Sequence, residues 1–134
     1  PHSGEAARLL GVRVAEIEMD RFAAVRQLQQ KYNAVILLKG AGTLICGDQT
    51  RPIQVCPYGN PAMATAGMGD ILSGVIGALI AQGMDVQTAT ELGCCIHSKA
   101  ADVAVDELGH RGLVASDLMP FFREILNQSA FLPE

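Results

Sequence analysis

The sequence has no tryptophan and only 4% aromatic residues, which excludes an aromatic-rich binding surface. It also lacks any bunching of its ten basic residues, and the formal net charge is -4. Without a basic footprint it is not a DNA- or RNA-binding chain. No apolar run approaches the roughly 20 residues of a membrane-spanning helix, since even Ile71 to Ile80 is broken by Ser73, Gly74 and Gly77. The chain therefore reads as soluble, with no membrane partner. The four cysteines, Cys46, Cys56, Cys94 and Cys95, form no C-x-x-C pair and have no histidine at zinc-site spacing. They read as buried or idle thiols in a reducing cytosol, which makes the expected location cytoplasmic. Neither a Walker A loop nor a G-x-G-x-x-G fingerprint is present. No signal peptide is expected, and there is no initiator Met. The chain opens in mid-phrase at Pro1-His2-Ser3-Gly4-Glu5, and reads as a fragment of something longer.

What the sequence does have is abundant glycine and alanine among 134 residues that are 49% hydrophobic, enough for one globular core of helices packed closely on a sheet. The fold class is α/β. No repeat or linker divides the chain. A short helix is expected over Glu5 to Leu10, closed by Gly11. A longer one is expected from Ile17 to Tyr32, with Phe22, Val25, Leu28 and Tyr32 on one face and Asn33 as its stop. Ala34 to Leu38 is an unbroken apolar run, as in a strand covered on both faces. Thr43 to Cys46 and Pro52 to Cys56 flank the polar turn Gly47-Asp48-Gln49-Thr50, which predicts an antiparallel edge hairpin. After a loop from Tyr58 to Gly69, Asp70 opens a helix, Ile71 to Ala81, that is apolar on nearly every side and must be buried. Two more helices follow, Val86 to Leu108 and Ser116 to Leu126, the last N-capped by Ser116.

The chemistry concentrates at Asn60-Pro61-Ala62-Met63-Ala64-Thr65-Ala66-Gly67-Met68-Gly69-Asp70. Small residues admit a ligand close to the backbone, and free N–H groups where a loop becomes a helix form an anion hole suited to phosphate. Asp70 taken alone is only an acidic residue stabilising a helix dipole. Beside an anion hole, the same carboxylate can accept a proton from a hydroxyl that attacks a phosphoryl group.

Asn60 to Gly74, NPAMATAGMGDILSG, resembles the signature of the ADP- or ATP-dependent NAD(P)H-hydrate dehydratases of the ribokinase-like superfamily. Pro1 to Glu5 is similar to the family's PHPGE loop, with Ser3 in place of its second proline. Lys39-Gly40-Ala41-Gly42-Thr43 is similar to its KGAGT loop. The resemblance covers the whole chain. It implies a three-layer ribokinase-like sandwich of which residues 1–134 are the C-terminal portion of a single domain, its N-terminal half lying outside these residues.

The activity so implied is nucleotide-driven dehydration of hydrated NAD(P)H, NAD(P)HX, back to NAD(P)H, a metabolite repair. Phosphoryl transfer makes the hydrate hydroxyl a leaving group, and phosphate is then eliminated. Carried over, Asp70 is the catalytic base and a substrate-binding residue. Gly67, Met68 and Gly69 supply the anion hole. Lys39, Gly40, Ala41, Gly42, Thr43 and Gly69 bind the nucleotide, and a glycine-flanked lysine at a strand end also suits a polyphosphate on physical grounds. His2 contacts substrate, an assignment that rests on the resemblance alone. ADP, or ATP, is the co-substrate, and Mg2+ is expected with it although no protein ligand for the metal is readable. Many family members carry an N-terminal epimerase domain, and the apolar composition predicts a homo-oligomer.

His97, on an apolar stripe, reads as a satisfied core or boundary residue. His110 and Arg111 read as a solvated turn, and Asp102, Asp106 and Glu107 as the wet face of a helix. Two other functions stay open. One is a small-molecule kinase of the same superfamily, acting on a vitamin precursor or a sugar-like alcohol. The other is a non-catalytic nucleotide-binding or oligomerisation module.

Overall fold

The computed structural model describes residues 1–128, which group into two units, Pro1–Pro57 and the residues from Tyr58 on. In the first unit, α1 (Ser3–Leu10) ends at Gly11 in the left-handed conformation, φ 74°. The helix expected over residues 17–32 is two helices, α2 (Val14–Met19) and α3 (Arg21–Tyr32). Asp20 is the reason. Its backbone, φ -148° and ψ 85°, leaves the helix, and its carboxylate accepts the Ala23 N–H at 2.8 Å and caps the next one. Asn33 stops α3 as expected, at φ 48°. The buried face of α3 is Ala24, Val25, Leu28 and Gln29, while Phe22 and Tyr32, expected on it, are 53% and 45% exposed. They sit in the first and last turns, where cover is incomplete.

The sheet is small and antiparallel, in the order β1 (Ile36–Leu38), β2 (Leu44–Cys46), β3 (Gln54–Val55), with Leu38 opposite Leu44 and Leu44 opposite Val55. The expected hairpin is present. Its turn is tied by Asp48 Oδ1, which accepts from the Thr50 N–H and hydroxyl, both at 2.7 Å, and from the Arg51 N–H at 2.9 Å. Arg26 donates to the Asp48 and Arg51 carbonyls at 2.7 and 2.8 Å. β1 is not fully covered on both faces among the described residues, since Leu38 is buried but Ile36 and Leu37 are only half-buried. Leu38, Leu44 and Cys46 pack with Ala6, Ala7, Ile17, Ala24, Val25 and Leu28 as the core of the unit.

The second unit is helical: α4 (Met68–Ala81), α5 (Val86–Leu108) and α6 (Met119–Leu126), with 3-10 turns at Pro61–Met63 and Ala115–Leu118. Asp85 starts α5 by accepting the Thr88 N–H at 3.1 Å. The core joins Met68, Ile96, Ala100, Ala104, Leu118, Phe121, Phe122 and Ile125. α4 and α5 approach closely at Gly93, where a Cβ would lie 2.7 Å from Ile76 Cγ1. α4 is not buried all round. Only Met68 and Leu72 are buried, and Gly74, Gly77, Ala78 and Ala81 are exposed, because the described residues cover one side of it. Nor does Ser116 cap the last helix. The chain enters it through the 3-10 turn, and the Val114 N–H donates to Asp117 Oδ2 at 2.9 Å. The α/β reading, a sheet with an edge hairpin followed by packed helices, matches this architecture. Among the described residues no helix is long and apolar enough to cross a membrane.

Candidate functional site

Residues 58–70 connect to the helical core of the second unit at both ends. Near the start, Asn60 caps the 3-10 turn by accepting the Ala62 N–H at 3.1 Å. At the other end Gly67 takes φ 85°, a conformation glycine adopts without strain, and this lets α4 begin at Met68 rather than at residue 71. An added Cβ there would sit 3.3 Å from the Ala115 Cβ. The Met68 side chain is 5% exposed and belongs to the core, so the start of the helix is fixed by packing. The first-turn amides of Met68, Gly69 and Asp70 have no acceptor of their own within the helix, and they carry the positive end of its dipole. Asp70 lies in that turn with its side chain exposed. The structure thus brings Gly67, Met68, Gly69 and Asp70 together: N–H donors for an anion, with a carboxylate beside them.

Two residues of α5 that read as bystanders touch this loop. Asp102, expected on the wet face, is half-buried: Oδ2 accepts the Gly59 N–H at 3.0 Å and Oδ1 accepts from Asn60 Nδ2 at 2.9 Å. Asp106 and Glu107 are exposed as expected. His97 is 3% exposed, as a core residue should be, yet it is not satisfied: among the described residues its Nε2 has no hydrogen-bond partner. Burial pushes its pKa below the ordinary imidazole value, opposed by a hydrogen bond with the Met68 backbone.

In the first unit, His2 and Lys39 come together around Glu5. His2 caps α1, its Nδ1 accepting the Gly4 and Glu5 N–H groups at 3.0 and 3.3 Å, while Glu5 Oε2 accepts the His2 N–H at 2.7 Å. With Nδ1 an acceptor, the neutral ring carries its proton on Nε2, 3.6 Å from Glu5 Oε1. Lys39 Nζ is 3.6 Å from Glu5 Oε2, and the Lys39 N–H donates to the Pro1 carbonyl at 2.8 Å. The His2 N–H first, then burial against it, then the Lys39 charge set the Glu5 pKa, with the net result below the usual carboxylate value. Residues 39–43 close on themselves through the Thr43 hydroxyl, which donates to the Gly40 carbonyl at 3.2 Å. Arg21 braces them, donating to the carbonyls of Ala41 at 2.7 Å, Gly42 at 3.2 Å and Leu38 at 3.1 Å.

The predicted residues therefore form two clusters, one in each unit: His2 with 39–43, and 67–70. An open cleft of about 540 Å³ in the second unit, lined among others by Tyr58, Cys95, Ile96 and Lys99, contains none of them. Among the described residues no group of three or more His, Cys, Asp or Glu side chains could hold a metal ion.

A family model described as NAD(P)H-hydrate dehydratase matches residues 1–122. The chain belongs to this family. Among its relatives, the bifunctional NAD(P)H-hydrate repair enzyme Nnr of Vibrio cholerae is 57% identical over 127 residues, covering 95% of this chain and 25% of that protein. The ADP-dependent (S)-NAD(P)H-hydrate dehydratase of Neisseria meningitidis is 44% identical over 129 residues, covering 96% and 43%. The ADP/ATP-dependent NAD(P)H-hydrate dehydratase of Bacillus subtilis, co-crystallised with ATP/Mg2+ and soaked with CoA, superposes with a TM-score of 0.87 at 30% identity, over 93% of this chain and 46% of that one. The chain thus spans about a quarter of the first of these relatives and under half of the other two.

Against the dehydratase motifs, sequence reasoning missed Asp102, His97 and Arg21. Each acts on a loop that is distant in sequence, Asp102 across 42 positions and Arg21 across as many as 21. Within its own neighbourhood none carries a pattern distinguishable from an ordinary helix residue.

Proposed function

We propose that this chain carries the phosphoryl-transfer centre of a nucleotide-dependent NAD(P)H-hydrate dehydratase, as the C-terminal portion of one ribokinase-like domain. The observation that carries the reading is the juxtaposition of the first-turn amides of α4 with Asp70, in a chain that a dehydratase family model matches over residues 1–122. The hydroxyl of the hydrate attacks the terminal phosphorus of ADP while Asp70 takes its proton. The bond from that phosphorus to the AMP oxygen breaks, and Gly67, Met68 and Gly69 stabilise the charge on the transferring group through their N–H donors. The carbon–oxygen bond then breaks, phosphate leaves, and loss of a neighbouring proton restores the dihydronicotinamide.

Lys39 to Thr43 hold the nucleotide phosphates, and His2 offers its Nε2–H edge to substrate. ADP rather than ATP is the proposed donor, and the name of the Neisseria relative supports it. Mg2+ would arrive with the nucleotide. The described residues offer it no cluster of ligands.

The test is recovery of the reduced-nicotinamide absorbance from hydrated NADH on the full-length protein, with ADP, with ATP and without nucleotide. Recovery with ADP and release of one phosphate per turnover is the expected result. A stable phosphoester made from a small alcohol, with no recovery, would replace this reading by that of a kinase.

A further inference from the structure

We propose that Asp102 is a positioning residue for phosphoryl transfer: from α5 it latches the near end of the loop whose far end presents Asp70 and the anion hole. The inference rests on the function proposed above. Ala62, Ala64 and Ala66 keep the loop small enough for a ligand to meet its backbone, while Ala62 and Met63 pack against the helical core. Hydrogen bonds at the two ends add rigidity to that packing. The far end is held by the buried Met68 side chain and by the hydrogen bond between the Met68 backbone and His97. At the near end, next to the Tyr58 ring that Lys99 Nζ faces at 5.5 Å, one carboxylate accepts the Gly59 N–H at 3.0 Å and Asn60 Nδ2 at 2.9 Å. Asn60 passes the constraint on, its own Oδ1 accepting the Ala62 N–H at 3.1 Å. Asp102, Asn60 and Ala62 form a relay from the helix into the loop backbone.

The chemistry of the pair permits an exchange test in the full-length protein. Asp102→Asn leaves one acceptor oxygen for two donors and sets an NH2 group against another. Asn60→Asp sets two carboxylates together. The double variant restores every bond, because the new amide at 102 accepts from Gly59 and donates to the new carboxylate at 60, whose other oxygen still accepts from Ala62. Each single variant is expected to lose about 10- to 100-fold in kcat, with the nucleotide KM within about twofold, and the double variant to recover most of the loss. Amide hydrogen exchange at Gly59 and Ala62 should quicken in the single variants and return to the wild-type rate in the double. Should a single variant not fold, Asn60→Ala, which removes the bonds to Asp102 and to the Ala62 N–H and adds no repulsion, takes its place.

Unchanged kcat in the single variants, or loss without recovery in the double, would overturn the proposal. If the wild-type protein restores no dihydronicotinamide with either nucleotide, the dehydratase reading fails instead. The exchange rates then decide the latch by themselves: the pattern above supports it, and unaltered rates refute it.

Discussion

Asp70 and Asp102 are the same side chain on two helices of one unit, and their surroundings divide their work. Asp70 is exposed in the first turn of α4, whereas Asp102 is half-buried and accepts two hydrogen bonds from a loop. Asp70→Asn keeps the shape and removes the base, so kcat should fall about 10²- to 10⁴-fold while nucleotide affinity stays within about twofold. Steady-state kinetics alongside a nucleotide titration read both, and a variant that keeps full turnover would remove Asp70 from its role. Lys39→Ala should weaken nucleotide binding on the order of 10-fold, measured by calorimetry, through loss of a charge-assisted contact. An unaltered dissociation constant would reduce Lys39 to a solvated strand end paired with Glu5. Local pattern was enough to single out Lys39 and Asp70 as candidates, because each lies inside a short motif. Asp102 and Arg21 were not legible, since a hydrogen bond across 42 or 20 positions leaves no local trace.

Elements were legible where their own ends are marked. α5 spans Val86–Leu108 as expected, because Asp85 caps its start and Gly109 follows its last turn. The break at Asp20 was hidden, since an Asp amid helix formers is readable as an ordinary surface residue until its backbone turns out of the helix. α4 misled for another reason. Composition reports how apolar a helix is, whereas burial depends on what packs on each side, and here its cover comes from α5 and the second 3-10 turn. Gly93 is the point of closest approach, buried with Ile76 Cγ1 2.7 Å from where a Cβ would stand and the Ile76 backbone nitrogen at 3.6 Å. Gly93→Ala should destabilise the protein by about 1–3 kcal/mol, as overpacking does, despite the better helix propensity of alanine. The urea midpoint measures it, and a midpoint at or above that of wild type would mean that the two helices separate freely.

For the molecule as a whole, acid should act on the two units in turn. His97 is buried, and its pKa lies below the ordinary value of ~6.5, so between the two values the unfolded chain binds a proton that the folded one does not. Stability therefore falls as pH drops below ~6.5. Glu5 also has a lowered pKa, and the stability it lends above the ordinary carboxylate value of ~4.5 is lost as pH falls through its folded value. Amide NMR signals of α5 should consequently broaden or shift at a higher pH than those of α1. Simultaneous loss of both at one pH would show that neither group controls its unit.

Charge at this scale poses a further question, since a chain of net charge -4 is proposed to hold a polyphosphate and has only ten basic residues with which to do it. Arg21 does not face outward to help, because its guanidinium is committed to the carbonyls of Leu38, Ala41 and Gly42. Its contribution is geometric. A planar trans peptide carries its oxygen and its hydrogen on opposite edges, so drawing three carbonyls towards one cation aims the N–H groups of Lys39, Gly42 and Thr43 the other way. Of these, the Lys39 N–H is taken up by the Pro1 carbonyl at 2.8 Å. Arg21, itself half-buried, thereby orients the dipoles of three peptide groups, and N–H edges set in this way would serve an anion that the guanidinium never meets.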